Sequence, residues 1–431
     1  MNSKIIYPWT IQNNAKYNFV SKSYGSFFWI NKKRYLDFCS QLVNMNIGFQ
    51  NKKIIKTINE QSKKQIFIGP NFKNKSREKL GKEISKLLGR NLYKSFFSES
   101  GARANEVACI IARKVTKKRK ILARKTSYHG STNFTASISG DARRNMINAT
   151  DKSNVKFLVD PICYKCPLKK EYPSCNLACA SELESILKHD NNFAAVIMEP
   201  ITGSAGRIVP PKGYYEKISK ICKKHNTLLI FDEIMTGFGR TGKWFGFHHW
   251  KVKPDMVTLA KGITGGMLPL AATVFSKKIS KYFDENYFPT GLTNYAHPLS
   301  CAVALKTINI MKQEKLIIHS KKIEKLMIKY LNKIKTKYSC VGDFRGKGCF
   351  YAIEFVNEKS GRRLIEWKNI NYFKKVDFIE NLKKICWKKG LYCYSRFNLL
   401  YICPPINTDL EDIEHGLKII DISIQETLQK K

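Results

Sequence analysis

Four short stretches combine residue types that could act together on a substrate. Phe96-Phe97-Ser98-Glu99-Ser100-Gly101-Ala102 reads as an apolar strand entering a small turn, and a helix then opens through Val107, Ile110, Ile111 and Val115. Free N–H groups and a positive dipole at a helix N-terminus suit an anion, although many such junctions bind nothing. Tyr128-His129-Gly130 sets an aromatic ring beside a glycine, fit either to cover a planar ligand or to pack in the core. Leu228-Leu229-Ile230-Phe231 ends in Asp232-Glu233. Ligands gather at the carboxyl ends of parallel strands, and a carboxylate there is costly unless paired. One of the two then holds a cation or a protonated ring nitrogen; the structural alternative has Glu233 in solvent and Asp232 capping a turn. Thr258-Leu259-Ala260-Lys261-Gly262 ends a further apolar run in a single lysine. Desolvation lowers a lysine's pKa and makes its amine nucleophilic, as Schiff-base chemistry requires; otherwise the side chain simply reaches solvent.

These positions need a scaffold, and the hydrophobic pattern supplies one. Ala194–Met198, Thr227–Phe231, Met256–Leu259 and Ala271–Phe275 predict buried strands, with a crossover helix at Tyr214–His225 and amphipathic helices over 56–66 and 78–89. Alternating strands and helices imply an α/β fold with a mainly parallel, helix-covered sheet. The pattern changes after about 310. A long helix near 300–335, short strands at Cys349–Val356 and Leu400–Cys403, a helix at Val376–Lys389 and a last helix capped by Asp409 predict a smaller α+β domain. The chain has 431 residues, 43% hydrophobic and 26% charged, which is globular composition. It contains no apolar run of membrane-spanning length, and Met1–Thr10 lacks the apolar core of a secretory signal, so a cytoplasmic protein without a membrane partner is expected. The net charge of +42 comes from lysines scattered along the whole chain, not from an arginine and aromatic stripe. It therefore reads as solvated surface, with no specific nucleic-acid partner expected.

Taken together, an anion cradle, a ring-covering aromatic, a strand-end carboxylate and a strand-end lysine are the parts of a pyridoxal 5′-phosphate (PLP) site. Phe231-Asp232-Glu233-Ile234-Met235-Thr236-Gly237-Phe238-Gly239-Arg240-Thr241-Gly242, then Pro254-Asp255, then Ala260-Lys261-Gly262-Ile263 resembles class III (omega-amino-acid) aminotransferases. Glu199-Pro200, Gly291-Leu292-Thr293 and His297-Pro298 add to the resemblance, which runs from Trp29 to about 420. It implies a PLP fold-type I enzyme, with 56–310 as the large cofactor domain and 1–55 plus 311–431 as the small one, working as a homodimer or dimer of dimers. Lys261 would carry the cofactor and move protons, and Asp232 would pair with the ring nitrogen. Tyr128 and Ile234 would sandwich the ring beside His129. Ser100, Gly101 and Ala102 would cradle the phosphate, with Thr293 reaching it from the partner subunit. Arg396 would grip a substrate carboxylate, with Trp9 and Val43 lining the substrate pocket.

Some positions depart from that family's pattern. Arg103 stands where the cradle motif usually carries an acid. Ser204 stands where the ornithine- and GABA-type branch has a glutamate that neutralises the arginine at 396, so Arg396 is expected to be mobile. Cys39-Ser40-Gln41-Leu42-Val43-Asn44 looks like the taurine- and β-alanine-type enzymes and less like the biotin-pathway transaminase that uses adenosylmethionine. The expected reaction moves an amino group from an ω-amino acid such as taurine or β-alanine to pyruvate or 2-oxoglutarate. The alternatives are a biosynthetic adenosylmethionine-8-amino-7-oxononanoate-type transaminase or an aminomutase, and, more remotely, a non-enzymatic Cys-rich protein binding zinc or nucleic acid. Cys163, Cys166, Cys175 and Cys179 have spacing that fits a zinc site of four thiolates; the alternative is a packed loop with free thiols.

Overall fold

The computed structural model describes residues 4–14, 17–147, 151, 153–365 and 374–429. A seven-stranded sheet forms its centre, in the spatial order Leu92–Ser98, Ala271–Ser276, Met256–Leu259, Leu228–Asp232, Phe193–Met198, Lys120–Arg124, Val155–Leu158. The last five of these pair in parallel, and Ala271–Ser276 runs antiparallel to both of its neighbours. Strands buried on both faces read as continuous apolar runs, and Phe193–Met198 and Ala271–Ser276 are buried at every position. The mainly parallel sheet is as expected. The antiparallel strand reverses direction twice across the sheet, so Ser98 ends on the same edge as Arg124, Met198, Asp232 and Leu259.

Helices cover this sheet, and local chemistry sets their ends. Lys52–Lys64 begins after Asn51, whose side chain accepts from Lys53 N, and Lys75–Leu88 begins after Asn74, which accepts from Ser76 N and Arg77 N. These caps start both helices a few residues before the apolar periodicity becomes visible. The long helix expected near 300–335 is two helices, Pro298–Gln313 and Leu316–Lys337, because Lys315 turns left-handed at φ 51°. Tyr214–Lys224 and Asp377–Lys388 match their expected helices closely.

Two four-stranded sheets complete the fold. One joins Val341–Lys347, Phe350–Phe355, Leu399–Ile402 and Tyr394–Arg396. The other joins Lys22–Tyr24, Phe27–Ile30 and Lys33–Asp37 to Leu391–Tyr392, which pairs with Lys33–Asp37 in parallel. Residues near the two ends of the chain therefore share one sheet. The last helix, Leu410–Gln429, starts directly after Asp409 and presses on this region, where Gly416 leaves room for the ring of Phe38.

Candidate active site

The carboxyl edge of the central sheet collects the residues singled out in the sequence. Ser100 caps the helix Gly101–Thr116, its hydroxyl accepting from Arg103 N at 3.3 Å. The amides of Gly101 and Ala102 lie in the first turn and have no helical acceptor. Gly130 packs against this cradle at φ +141°, where an added Cβ would stand 2.7 Å from the Cβ of Ala102 and 2.5 Å from Thr135 Oγ1. The tyrosine-bearing turn and the cradle are thus fitted to each other. The charge of Arg103 is directed to Glu106 (Nη1–Oε2 3.2 Å) and to Thr290 Oγ1. This accounts for a cation being tolerated at that position.

Asp232 is 3% exposed and fully engaged. Its Oδ2 lies 2.7 Å from His129 Nδ1 and accepts from Asn105 Nδ2 at 2.8 Å, and its Oδ1 accepts from Ile234 N at 3.0 Å. Asn105 is held in turn by Thr258 Oγ1, 2.7 Å from its Oδ1. Glu233 does not face solvent. It is wholly buried and accepts from Thr236 Oγ1, Gly246 N and Phe247 N, and burial raises its pKa to about 7. The two adjacent carboxylates thus divide their work: Glu233 pins the following loop, and Asp232 is presented at the strand end.

Lys261 follows the strand Met256–Leu259 in a left-handed conformation (φ 49°), a costly geometry for a residue with a side chain. It borders a cavity of about 300 Å³ shared with Ser100, Gly101, Ala260 and Thr264. Burial, and then the positive charge of Arg207, lower its pKa to about 8, and Asp232 opposes this only in part. Ile234 packs with Ala104 and Ala260, between the cradle helix and the lysine.

Arg396 has a counter-ion, although Ser204 cannot supply one. Its Nη1 and Nη2 both donate to Asp141, the latter at 3.0 Å. Asp141 also accepts from Arg143 Nε at 2.9 Å, and the two arginines outweigh burial to lower its pKa to about 2. The counter-charge comes from a different loop than the one motif comparison pointed to. Arg143 donates to Ser204 Oγ at 2.9 Å, and its guanidinium lies 3.4 Å from the Tyr128 ring centroid and 5.6 Å from that of Trp9. Trp9 and Tyr128 are therefore both brought to one guanidinium. Val43 is buried one step away, in an apolar cluster with Ile201, Phe350 and Cys403. Thr293 is exposed.

The zinc expectation is not met. Cys163, Cys166, Cys175 and Cys179 line one small cavity with Pro161 and Pro211, but Cys163 is exposed and all four are free thiols. A thiolate zinc site needs four sulfurs converging within about 2.3 Å of one point. Among the described residues no group of three or more His, Cys, Asp or Glu side chains is placed to hold a metal. Asp141, Arg143 and Arg207 escaped the sequence reading, and Asn105 stood in the cradle stretch with no role assigned to it. Asp141 meets Arg396, and Arg143 meets Ser204 and Tyr128, only through tertiary structure.

The arrangement fits PLP. An amide cradle, a poised amine and a buried, hydrogen-bonded carboxylate lie on one sheet edge, and buried His129 Nε2 has no hydrogen-bond partner. Comparison with known proteins agrees. Residues 10–424 match the family model for aminotransferase class-III. The taurine–pyruvate aminotransferase of Bilophila wadsworthia is 31% identical, over 93% of this chain and 90% of that protein. A leucine/methionine racemase of Thermococcus litoralis is 31% identical, over 92% and 87%. The solved taurine:2-oxoglutarate aminotransferase of Bifidobacterium kashiwanohense, in complex with PLP and glutamate, superposes with a TM-score of 0.93 at 30% identity, covering 99% of this chain and 96% of that one. The fold is PLP fold-type I, the cofactor is PLP, and the chain belongs to the class III aminotransferases.

Proposed function

We propose that this aminotransferase moves the amino group of an ω-amino acid, such as taurine or β-alanine, to pyruvate or 2-oxoglutarate. The observation that carries the reading is the Arg396–Asp141 pair, joined through Asp141 to Arg143, whose charge acts on Lys261: a carboxylate-binding cation that has an internal partner while the donor is bound. Likeness to two taurine aminotransferases supports the substrate class. PLP supplies an electron sink beside the carbon that loses its proton. Ser100, Gly101 and Ala102 bind its phosphate through backbone amides, with Thr293 of the partner subunit completing the cradle in a homodimer. Tyr128 and Ile234 hold the ring between them. Asp232, fixed by Asn105 and His129, holds a proton on the ring nitrogen. With the cofactor bound, Lys261 Nζ would take the proton from the donor carbon and later return it, and its lowered pKa keeps it able to accept one. Arg396 then leaves Asp141 for the carboxylate of the keto acid, and Asp141 keeps Arg143. In this reading 56–310 form the cofactor domain, and 1–55 with 311–431 form the small domain.

The absorption spectrum of the PLP-loaded protein tests the reading. A visible band that bleaches with taurine or β-alanine, and returns with pyruvate or 2-oxoglutarate, is expected. A band that no ω-amino acid bleaches would overturn the substrate class.

A further inference from the structure

The loop after the strand Phe193–Met198 folds back on itself through a bridge between Thr202 and Ile208. Arg207 lies near its tip in a left-handed conformation (φ 57°). Such strain in a residue with a side chain persists only where the surroundings impose it, and it gathers at functional sites. The side chain is 2% exposed. Its guanidinium lies 3.7 Å from the Phe350 ring centroid and 4.6 Å from that of Tyr401, and Nη1 donates to Gly203 O at 2.7 Å. Its Nε has no hydrogen-bond partner. Among the described residues Arg207 makes no ion pair. Glu199, whose charge acts on it, has its two oxygens engaged by Tyr128 N and Gly203 N.

A buried cation without a counter-ion is costly, and groups held at such a cost cluster at functional sites. The place where an anion would sit can be read from the neighbours. Tyr401 donates to Ser204 O, the residue whose hydroxyl takes Arg143, and the charges of both Arg396 and Arg207 act on Tyr401. Of these two arginines only Arg396 has a carboxylate. A substrate with its amine on a terminal carbon carries its acid group away from the reacting carbon, so it needs a standing cation other than the one Asp141 already holds.

We propose that Arg207 is a specificity-determining residue that binds the acid group of the amino donor, a carboxylate or sulfonate, while Arg396 remains on Asp141. This rests on the transamination reading above. Planar guanidinium stacked on Phe350 and Tyr401 loses little freedom on binding, and its open N–H groups suit a charge-assisted contact with an oxyanion.

The test uses the PLP-loaded protein and two anions without an amine, propionate and methanesulfonate. In the wild type both should raise the melting temperature and compete with the donor. In Arg207→Met that protection should vanish, and the donor KM should rise about ten- to a hundredfold with a much smaller change in kcat. Arg207→Lys should recover part of both effects, and it serves as the readout should the Met variant not fold. Unchanged protection and a donor KM within about twofold in Arg207→Met would overturn the proposal. So would protection that is lost in Arg396→Met and kept in Arg207→Met. Thermal protection does not depend on turnover. A wild type that binds these anions through Arg207 but transfers no amino group would sink the transamination reading and leave the anion site standing.

Discussion

Asp141→Asn should move stability and substrate affinity in opposite directions. Asp141 is 5% exposed, and its pKa falls from 3.8 to about 2 because Arg396 and Arg143 outweigh burial. A fall of that size corresponds to about 2 kcal/mol of stability. The folded-state pKa is depressed, so this contribution is present above the unfolded value and is lost as pH falls through about 2. The variant should therefore be less stable by about 2 kcal/mol at pH 7, and the difference should begin to narrow below about pH 4 and vanish below about pH 2. Affinity should change the other way. A keto acid must take Arg396 from Asp141, and about half of the stabilisation, roughly 1 kcal/mol, belongs to that contact; its removal should lower the keto-acid KM about fivefold. Urea unfolding at several pH values, with steady-state kinetics on pyruvate and 2-oxoglutarate, measures both. A keto-acid KM that stays the same or rises, with the cofactor band intact, would refute the competition between Asp141 and substrate for Arg396.

Three further outcomes follow from the same geometry. Lys261 has its pKa lowered to about 8, so the rate at which apoprotein takes up PLP should climb about tenfold per pH unit and level off near pH 8, and Lys261→Ala should show no visible band at any pH; a flat rate from pH 6 to 9 would count against a poised amine. Glu233 has its pKa raised from 4.5 to about 7, so the stability it confers is complete below about pH 4.5 and fades as pH rises through 7; thermal melts of Glu233→Gln should lose that slope, and an identical slope in the variant would assign it elsewhere. Gly416→Ala would bring a Cβ to 2.1 Å from the Phe38 ring, so crowding of about 1–3 kcal/mol should exceed the helix-propensity gain of about 1 kcal/mol, and Phe38→Leu in the same chain should restore part of the loss in chemical denaturation.

What the sequence disclosed followed from how local each signal was. Phe193–Met198 and Ala271–Ser276 were readable because strands buried on both faces leave uninterrupted apolar runs. Lys261, Asp232 and Ser100 were readable because each closes a strand or opens a helix within a few residues of its own motif. Asp141 and Arg207 were not, since an arginine in a loop has the same appearance whether it meets solvent or stacks on Phe350. The counter-ion of Arg396 was hidden for a related reason: Asp141 lies in a loop 255 positions from that arginine in the chain. The division at Lys315 carried no Gly or Pro to announce it. The four thiols had zinc-like spacing, but spacing cannot say whether their sulfurs converge.

The pairing of Lys33–Asp37 with Leu391–Tyr392 has a consequence for how this protein is made. On the ribosome the N-terminal strands emerge first, but their parallel partner is translated more than 350 residues later. Phe38 likewise waits for the helix that carries Gly416, and Ser40 waits for Cys403, whose carbonyl accepts its hydroxyl. The central sheet, complete by Ser276, can assemble long before that. Such long-range closure is slow because loop entropy must be overcome before the contacts form. The opening segment is therefore the last part of the chain to settle, and in the nascent protein it stays exposed to chaperones and proteases until synthesis ends.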